Sequence, residues 1–266
     1  MRKLYHNDMS SCAQKARVCL AEKGLGYEEE HLDLRAGDQQ NPDYLKLNPR
    51  GVVPTLIDGD KVIRESNVIL EYLDDEYPDP PLRPRDSLGK AHMRLWLKRF
   101  DEGLHDIATA TISMGTAFRY QYLEKSEAER EALIEKIPDP MKRVRRRDVV
   151  ENGTKAQEFE KAVRMMDSML ADMETTLGKT EWLAGDHYSL ADAAYTPYLT
   201  RLDHLGLLGF IENRPNVADW YARIKARPSY EDAIIKWENQ TYLALMKEKA
   251  PACWPEIAGI LAGRVN

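Results

Sequence analysis

Met9-Ser10-Ser11-Cys12 sets two hydroxyls and a thiol side by side, between a short strand candidate, Arg2 to His6, and a helix candidate, Ser11 to Lys23. A helix amino terminus presents unpaired amides and partial positive charge, which stabilise a nearby thiolate and lower the thiol pKa. Such a site can activate either Cys12 itself or a thiol bound from solution. The same residues also admit a structural explanation, in which Ser10 or Ser11 caps the helix and Cys12 is a small buried hydrophobe. Other chemistry is not signalled. The six histidines, His6, His31, His92, His105, His187 and His204, show neither HxxxH nor HExxH spacing, so no metal site is expected. Gly24-Leu25-Gly26 lacks the third glycine of a dinucleotide fingerprint, and neither a phosphate-cradling GxxxxGK[ST] nor a GxSxG nucleophile elbow occurs.

The elements that must position these residues alternate over the first eighty positions. Helix 11–23 carries Ala16, Cys19 and Leu20 on one face and stops at Gly24, as helices commonly do. Tyr27 to Leu34 reads as a second strand, and Asn41-Pro42 starts a short helix with a cap and a proline at its first position. Pro54 to Ile57, the turn Asp58-Gly59-Asp60 and Lys61 to Arg64 form a hairpin. A helix from Ser66 to Tyr77 follows. The order β-α-β-α-β-β-α implies a crossover joining a parallel pair and a hairpin that makes the sheet mixed. Pro78, Pro80, Pro81 and Pro84 mark a stiff linker over 79–86, which separates an α/β domain, 1–78, from an all-α bundle, 87–266. In the bundle, Phe159, Val163, Met166, Leu170, Met173 and Leu177 form one apolar stripe, its methionines read as core. Ser189-Leu190-Ala191-Asp192 reads as a capping box with Asp192 reaching back to the Ser189 amide, and Val217, Trp220, Tyr221 and Ile224 make a further stripe.

The 266 residues carry 38 Lys+Arg against 44 Asp+Glu, a formal charge of −6, which argues against general nucleic-acid binding. The basic run Lys142, Arg143, Arg145, Arg146 and Arg147 lies among Glu135, Asp139, Asp148 and Glu151 and reads as a solvated helix face. No signal peptide or spanning helix is visible, so no membrane association is expected. Cys12, Cys19 and Cys253 form no CxxC pair and leave one thiol over, which suits a reducing, cytoplasmic setting.

Several segments together resemble the glutathione S-transferases: Leu4-Tyr5, Ser10-Ser11-Cys12, Glu22-Lys23-Gly24-Leu25, Asn48-Pro49-Arg50-Gly51-Val52-Val53-Pro54-Thr55-Leu56 and Glu65-Ser66, then Trp182-Leu183-Ala184-Gly185-Asp186 and Ser189-Leu190-Ala191-Asp192-Ala193-Ala194. The resemblance covers most of the chain and implies a thioredoxin-like glutathione-binding domain followed by a helical substrate domain. It implies that the Val53 backbone pairs with the cysteinyl part of glutathione, that Pro54 is cis, and that Glu65 and Ser66 hold the γ-glutamyl amine and carboxylate. Gln40 and Arg50 would reach the glycyl end. Asp101 would contact glutathione in the partner subunit of a homodimer.

Ser10 aligns with the zeta-class serine that hydrogen-bonds the glutathione sulfur, and Cys12 with the cysteine of that class. Where the zeta pattern continues Trp-Arg-Val-Arg, this chain reads Ala13-Gln14-Lys15-Ala16-Arg17. Met9-Ser10-Ser11-Cys12 is similar to the Met-Ser-x-Cys of tetrachlorohydroquinone reductive dehalogenases, which use the cysteine covalently. Ile137-Pro138-Asp139-Pro140 and the basic segment after it resemble an insertion in bacterial glutathione-dependent β-aryl etherases.

The resemblance therefore implies an enzyme that activates glutathione as a thiolate for attack on a hydrophobic electrophile, aromatic, ether or halogenated. His105, Met114, Phe118, Tyr120 and Trp254 are the candidate substrate wall, since a bundle helix and a returning tail can border the sulfur. Two alternatives stand beside this one: a Cys12-dependent thiol transferase or reductive dehalogenase, and a non-catalytic glutathione-binding module.

Overall fold

The computed structural model describes residues 1–263. Strand β1 (Arg2–His6) pairs parallel with β2 (Glu28–His31) and antiparallel with β3 (Thr55–Asp58), which pairs antiparallel with β4 (Lys61–Arg64), giving the order β2-β1-β3-β4. The crossover from β1 to β2 is α1 (Ser11–Glu22), α2 (Pro42–Leu47) precedes the hairpin, and α3 (Ser66–Glu76) follows it. This is the expected thioredoxin-like arrangement with a mixed sheet. The hairpin turn is tighter than expected. Asp58 pairs with Lys61, so only Gly59 and Asp60 lie outside the ladder, and Gly59 supplies the positive φ of 64° that such a turn requires.

The second strand is shorter than the eight residues 27–34. Leu32 still donates its amide to the His6 carbonyl, but the Asp33 carboxylate accepts from the amides of Arg35 and Ala36 and turns the chain away. After α3, the proline-rich segment is pinned by a buried ion pair. Lys23 Nζ meets Asp74 Oδ1 at 2.8 Å and the Pro80 carbonyl at 2.8 Å, while Asp74 also accepts from the Leu82 amide and from Arg83.

The remainder is helical: α4 (Ser87–Arg99), a π-helical segment (Phe100–Thr109), α5 (Ala110–Ser113), a second π segment (Met114–Phe118) and α6 (Arg119–Leu123) form one continuous run. It bends at Gly103, whose φ of 114° is open to few other residues. Then come α7 (Glu127–Glu135), α8 (Pro140–Asn152), α9 (Phe159–Leu177), α10 (Leu190–His204), α11 (Pro215–Lys225), α12 (Pro228–Ala233), α13 (Gln240–Lys249) and α14 (Trp254–Leu261). No described helix is long and apolar enough to cross a membrane.

The chain divides into two compact units. The first comprises Met1–Leu97, Leu177–Leu199 and Asp219–Asn239, the second Lys98–Thr176, Thr200–Ala218 and Gln240 onward. In the first, the capping box forms as read, with Asp192 accepting from the Ser189 amide and hydroxyl at 2.9 and 2.8 Å. The same carboxylate accepts from the Leu183 amide at 3.0 Å and from Trp220 Nε1 at 2.9 Å, so one side chain ties a helix start to a loop and to α11. Burial raises its pKa although these donors favour the charged form. In the second, the apolar stripe of α9 is core: Phe159, Val163, Leu170 and Met173 are fully buried. Four of the five cations in the basic run on α8 are paired with carboxylates. Arg147 holds Glu131 with two parallel bonds, and Arg143 holds Glu135 at 2.6 Å.

Candidate functional site

Ser10 is the amino-terminal cap of α1, its Oγ accepting from the Ala13 amide at 3.3 Å. That bond resolves which serine caps, and it does not exhaust Ser10. A hydroxyl that accepts from an amide keeps its own proton to donate, so the cap leaves an O–H donor at the mouth of a helix amino terminus. Ser11, the first helical residue, is buried, whereas Cys12 is half-buried in the first turn. Cys19, by contrast, is fully buried with its thiol pKa pushed up by desolvation, which makes it inert.

The loop that carries Ser10 is clamped from below by a residue to which the sequence drew no attention. Arg17, 1% exposed, donates to the carbonyls of Asn7 and Asp8 at 2.9 and 2.7 Å, to the Ala233 carbonyl at 2.9 Å and to His6 Nδ1 at 3.0 Å. Desolvation lowers its pKa to about 10, so it stays charged at neutral pH. Asp8 Oδ2 accepts from Asn239 Nδ2 at 3.0 Å, and the Asn239 amide reaches the Met9 sulfur at 3.5 Å. Residues 7–10 are thus fixed on both sides.

His6 feels the same environment. Desolvation, aided by the Arg17 charge, lowers its pKa to about 3. Between that value and about 6.5, the unfolded chain binds a proton that the folded chain refuses, so stability falls as pH drops through this window. Chemical unfolding measured at stepped pH should lose roughly 1.4 kcal/mol per pH unit from this one group, and His6→Phe should remove that component of the slope. An unchanged slope in the variant would show that His6 titrates normally.

The residues expected around glutathione lie in the same unit and converge. Ala13, beside Cys12, packs in one apolar cluster with Leu32, Tyr44 and Val53. The Val53–Pro54 bond is cis. The β1–β3 ladder begins at Thr55, which leaves the Val53 backbone beyond the sheet register. Arg50 Nη1 meets Glu65 Oε1 at 2.5 Å, and a side chain at Gly51 would collide with Gln40 Nε2 at 2.7 Å, so Gln40 and Arg50 flank the same loop. Lys15 Nζ donates to Asn67 Oδ1 at 3.1 Å, which sets the first turns of α1 and α3 side by side.

Two supports for this loop were missed by sequence reasoning. The Tyr44 hydroxyl donates to the Val52 carbonyl at 2.6 Å, and Asn48 Nδ2 donates to that carbonyl at 2.9 Å and to Thr55 Oγ1 at 3.1 Å. Asn48 stood inside the resembling segment; Tyr44 carried no signal beyond an aromatic in a short helix.

Glu65, immediately before α3, has φ 64° and ψ 119°, the single described non-glycine residue with positive φ. For a residue with a Cβ, such a backbone costs about 1–3 kcal/mol and persists where the surrounding structure over-determines it, often at a ligand site. Glu65→Gly should relieve that cost against the glycine entropy penalty of roughly 0.5–1 kcal/mol, leaving a melting temperature equal to or above wild type. A lower melting temperature would show that the backbone at 65 is not strained.

The remaining expected residues belong to the second unit. Asp101 is exposed, and the neighbouring Arg99 pairs with Asp172 at 2.8 Å. His105 and Met114 line one cavity. The others have different surroundings. Phe118 lies beneath Arg201 and meets Tyr242 edge-on, Tyr120 lies beneath Lys249, and Trp254 packs against Phe210 and fills the space that a side chain at Gly209 would need.

Comparison with known proteins agrees with this geometry. Residues 9–76 match the family profile "Glutathione S-transferase, N-terminal domain", and residues 156–223 match "Glutathione S-transferase, C-terminal domain". The chain is 32% identical over 258 residues to Protein LigF of Sphingobium sp. (strain NBRC 103272 / SYK-6), covering 93% of this chain and 98% of that protein. It is 29% identical to the tetrachloro-p-hydroquinone reductive dehalogenase of Sphingobium chlorophenolicum, over 87% of this chain and 95% of that one. The crystal structure of β-etherase LigF from Sphingobium sp. strain SYK-6 superposes with a TM-score of 0.76 at 30% identity, over 88% of this chain and 99% of that one. A shorter match, 54% identical over 89 residues, is to glutathione S-transferase Z1 of Arabidopsis thaliana, spanning 34% of this chain and 40% of that protein. The chain therefore belongs to the glutathione S-transferase family and is an enzyme of that type.

Proposed function

We propose that the first unit binds glutathione and that the Ser10 hydroxyl donates a hydrogen bond to the glutathione sulfur, which holds it as a thiolate at neutral pH once the thiol proton has passed to solvent. The single observation that carries this reading is the capping position of Ser10, which leaves its hydroxyl free to donate where the α1 amino terminus adds positive potential. Val53 would offer its free backbone edge to the cysteinyl part and Glu65 its carboxylate to the γ-glutamyl amine. Ser66 and the first amides of α3 would hold the γ-glutamyl carboxylate, and Gln40 and Arg50 the glycyl end. The thiolate then attacks an electrophilic carbon. A C–S bond forms as the bond to a leaving oxygen or halide breaks, and the leaving group departs with the electron pair. Of the two Sphingobium relatives, the β-etherase favours an ether as leaving group and the tetrachloro-p-hydroquinone reductive dehalogenase favours an aromatic, halogenated electrophile.

Calorimetric titration of reduced glutathione into the full chain tests this, with binding expected in the micromolar to millimolar range, about 4–8 kcal/mol. Absence of heat at several temperatures would favour a non-catalytic module. A second reading rests on Cys12, half-buried in the first turn of α1, acting as nucleophile. It predicts a mixed disulfide on Cys12, with release of one reduced glutathione, after exposure to oxidised glutathione. Full conjugation activity in Cys12→Ala would exclude it.

The family resemblance further supports a homodimer in the cytoplasm. Leu88 and Leu95, one heptad apart on α4 and 63% and 62% exposed, offer apolar surface for such an interface. If Asp101 reaches the partner's glutathione, Asp101→Asn should raise the glutathione dissociation constant without unfolding the chain.

A further inference from the structure

Within the second unit, a cavity of about 210 Å³ is lined by His105, Thr111, Met114, Lys142, Arg145 and Arg146, with Asp106 the sole carboxylate of its wall. Three permanent cations therefore face one anion. Two of them are already neutralised: Lys142 meets Asp106 at 2.6 Å, and Arg145 meets Glu158, which lies outside the cavity lining. Arg146 differs. Its half-buried guanidinium donates through Nη1 to the neutral Tyr122 hydroxyl at 2.9 Å, and among the described residues no carboxylate pairs with it. The Nε–Nη2 edge of such a fork matches the two oxygens of a carboxylate.

An independent signal comes from α5, which lends Thr111 to the lining. Thr111 is 2% exposed, and its Oγ1 has no hydrogen-bond partner. Buried hydroxyls are almost always satisfied, so an orphan lining a cavity calls for a ligand atom. The local field points the same way. Desolvation works against the Asp106 carboxylate, yet Lys142, His105 and Arg145 outweigh it and hold its pKa below the usual range. The cavity also sits where the helical run departs from α geometry, with His105 in the first π segment and Met114 opening the second. Such irregularities are frequent at functional sites.

We propose that this cavity is a recognition site for the carboxylate of a one-ring aromatic acid, with Arg146 as the bidentate charge partner, Thr111 as hydroxyl donor, and Met114 with Val149 against the ring. Its volume is below the roughly 300–1,000 Å³ of drug-sized pockets, which suits one ring and its acid group. The inference goes beyond the transferase reading: the helical unit carries an anion-selective site of its own, whether or not glutathione is bound.

The test is a fluorine-NMR titration of para-fluorobenzoate into the full chain, with para-fluorobenzamide as the neutral counterpart and reduced glutathione titrated separately into the same samples. Saturable benzoate binding at least about tenfold tighter than the amide is expected. Arg146→Gln should weaken it about tenfold, and Thr111→Val severalfold at an unchanged or raised melting temperature. Should Arg146→Gln fail to fold, the isosteric Thr111→Val decides. No benzoate binding, equal binding of acid and amide, or full affinity in the folded variants overturns the proposal. Glutathione binding retained in that case would leave the transferase reading intact, whereas its loss in wild type would remove that reading itself.

Discussion

Ser10→Ala is expected to reduce glutathione conjugation by roughly 10²–10³, the usual effect of removing one hydrogen-bond donor aimed at developing or resident negative charge. The physical cause is a shift in the bound thiol. An ordinary thiol near pKa 8.5 is mostly protonated at neutral pH, and each unit of depression corresponds to about 1.4 kcal/mol of thiolate stabilisation. Ultraviolet absorbance of the bound thiolate, followed against pH, should move upward in the variant by about one to two units. Because Ser10 also caps α1, the substitution should cost about 1 kcal/mol of stability. Ser10→Thr separates the two effects, since it restores both hydroxyl and cap. If Ser10→Ala lost stability but kept its thiolate titration and rate, Ser10 would be a cap alone, and the Cys12 reading would take its place.

Arg17→Leu is expected to destabilise the chain by about 3–5 kcal/mol, because it leaves two buried carbonyls and one half-buried carbonyl without their donor. For a chain of this size that corresponds to a fall in melting temperature of roughly 10 °C. The loss should also reach the site. Arg17 holds the Asn7 and Asp8 carbonyls, three and two residues before Ser10, so glutathione should bind more weakly even well below the melting transition. Arg17→Lys keeps the charge but replaces a five-donor fork with a compact ammonium, and it should recover only part of either property. A melting temperature within a degree or two of wild type in Arg17→Leu would mean that the carbonyls find other partners.

Local patterns in the sequence were enough for the parts of the fold that depend on neighbours along the chain. β1 was legible to the residue, α2 through its Asn41 cap and Pro42, the hairpin through Asp58-Gly59, and the Ser189–Asp192 box through its three-residue spacing. Each is a rule about positions within four residues of one another. β2 was over-extended because the side chain that ends it, Asp33, acts by capturing amides two and three residues on, which an apolar pattern does not register. The basic run on α8 was read as a solvated face, but its cations are half-buried and three of them line a cavity, and its acids come mostly from elsewhere: Glu131 on α7, Asp106 on the first π segment, and Glu158.

The candidate site divides along the same line. Ser10, Val53-Pro54 and Glu65-Ser66 stood out because they sit inside short motifs, and their placement in one unit follows from a topology that the order of elements already implied. What only the tertiary structure decided is the set of side chains that act across large sequence separations. Arg17 reaches a carbonyl 216 residues away, Trp220 completes the bonds of Asp192 across 28 residues, and the strained φ of Glu65 is a property of backbone geometry, not of residue type. The anionic recognition inferred for the helical unit depends on which arginine of a five-cation run is left without an acid, and on a threonine hydroxyl buried without a partner. Sequence alone specifies residue types and local periodicity. Which charges are neutralised and which donors are orphaned depends on packing, because desolvation and hydrogen bonding act through space between groups that the chain itself holds far apart.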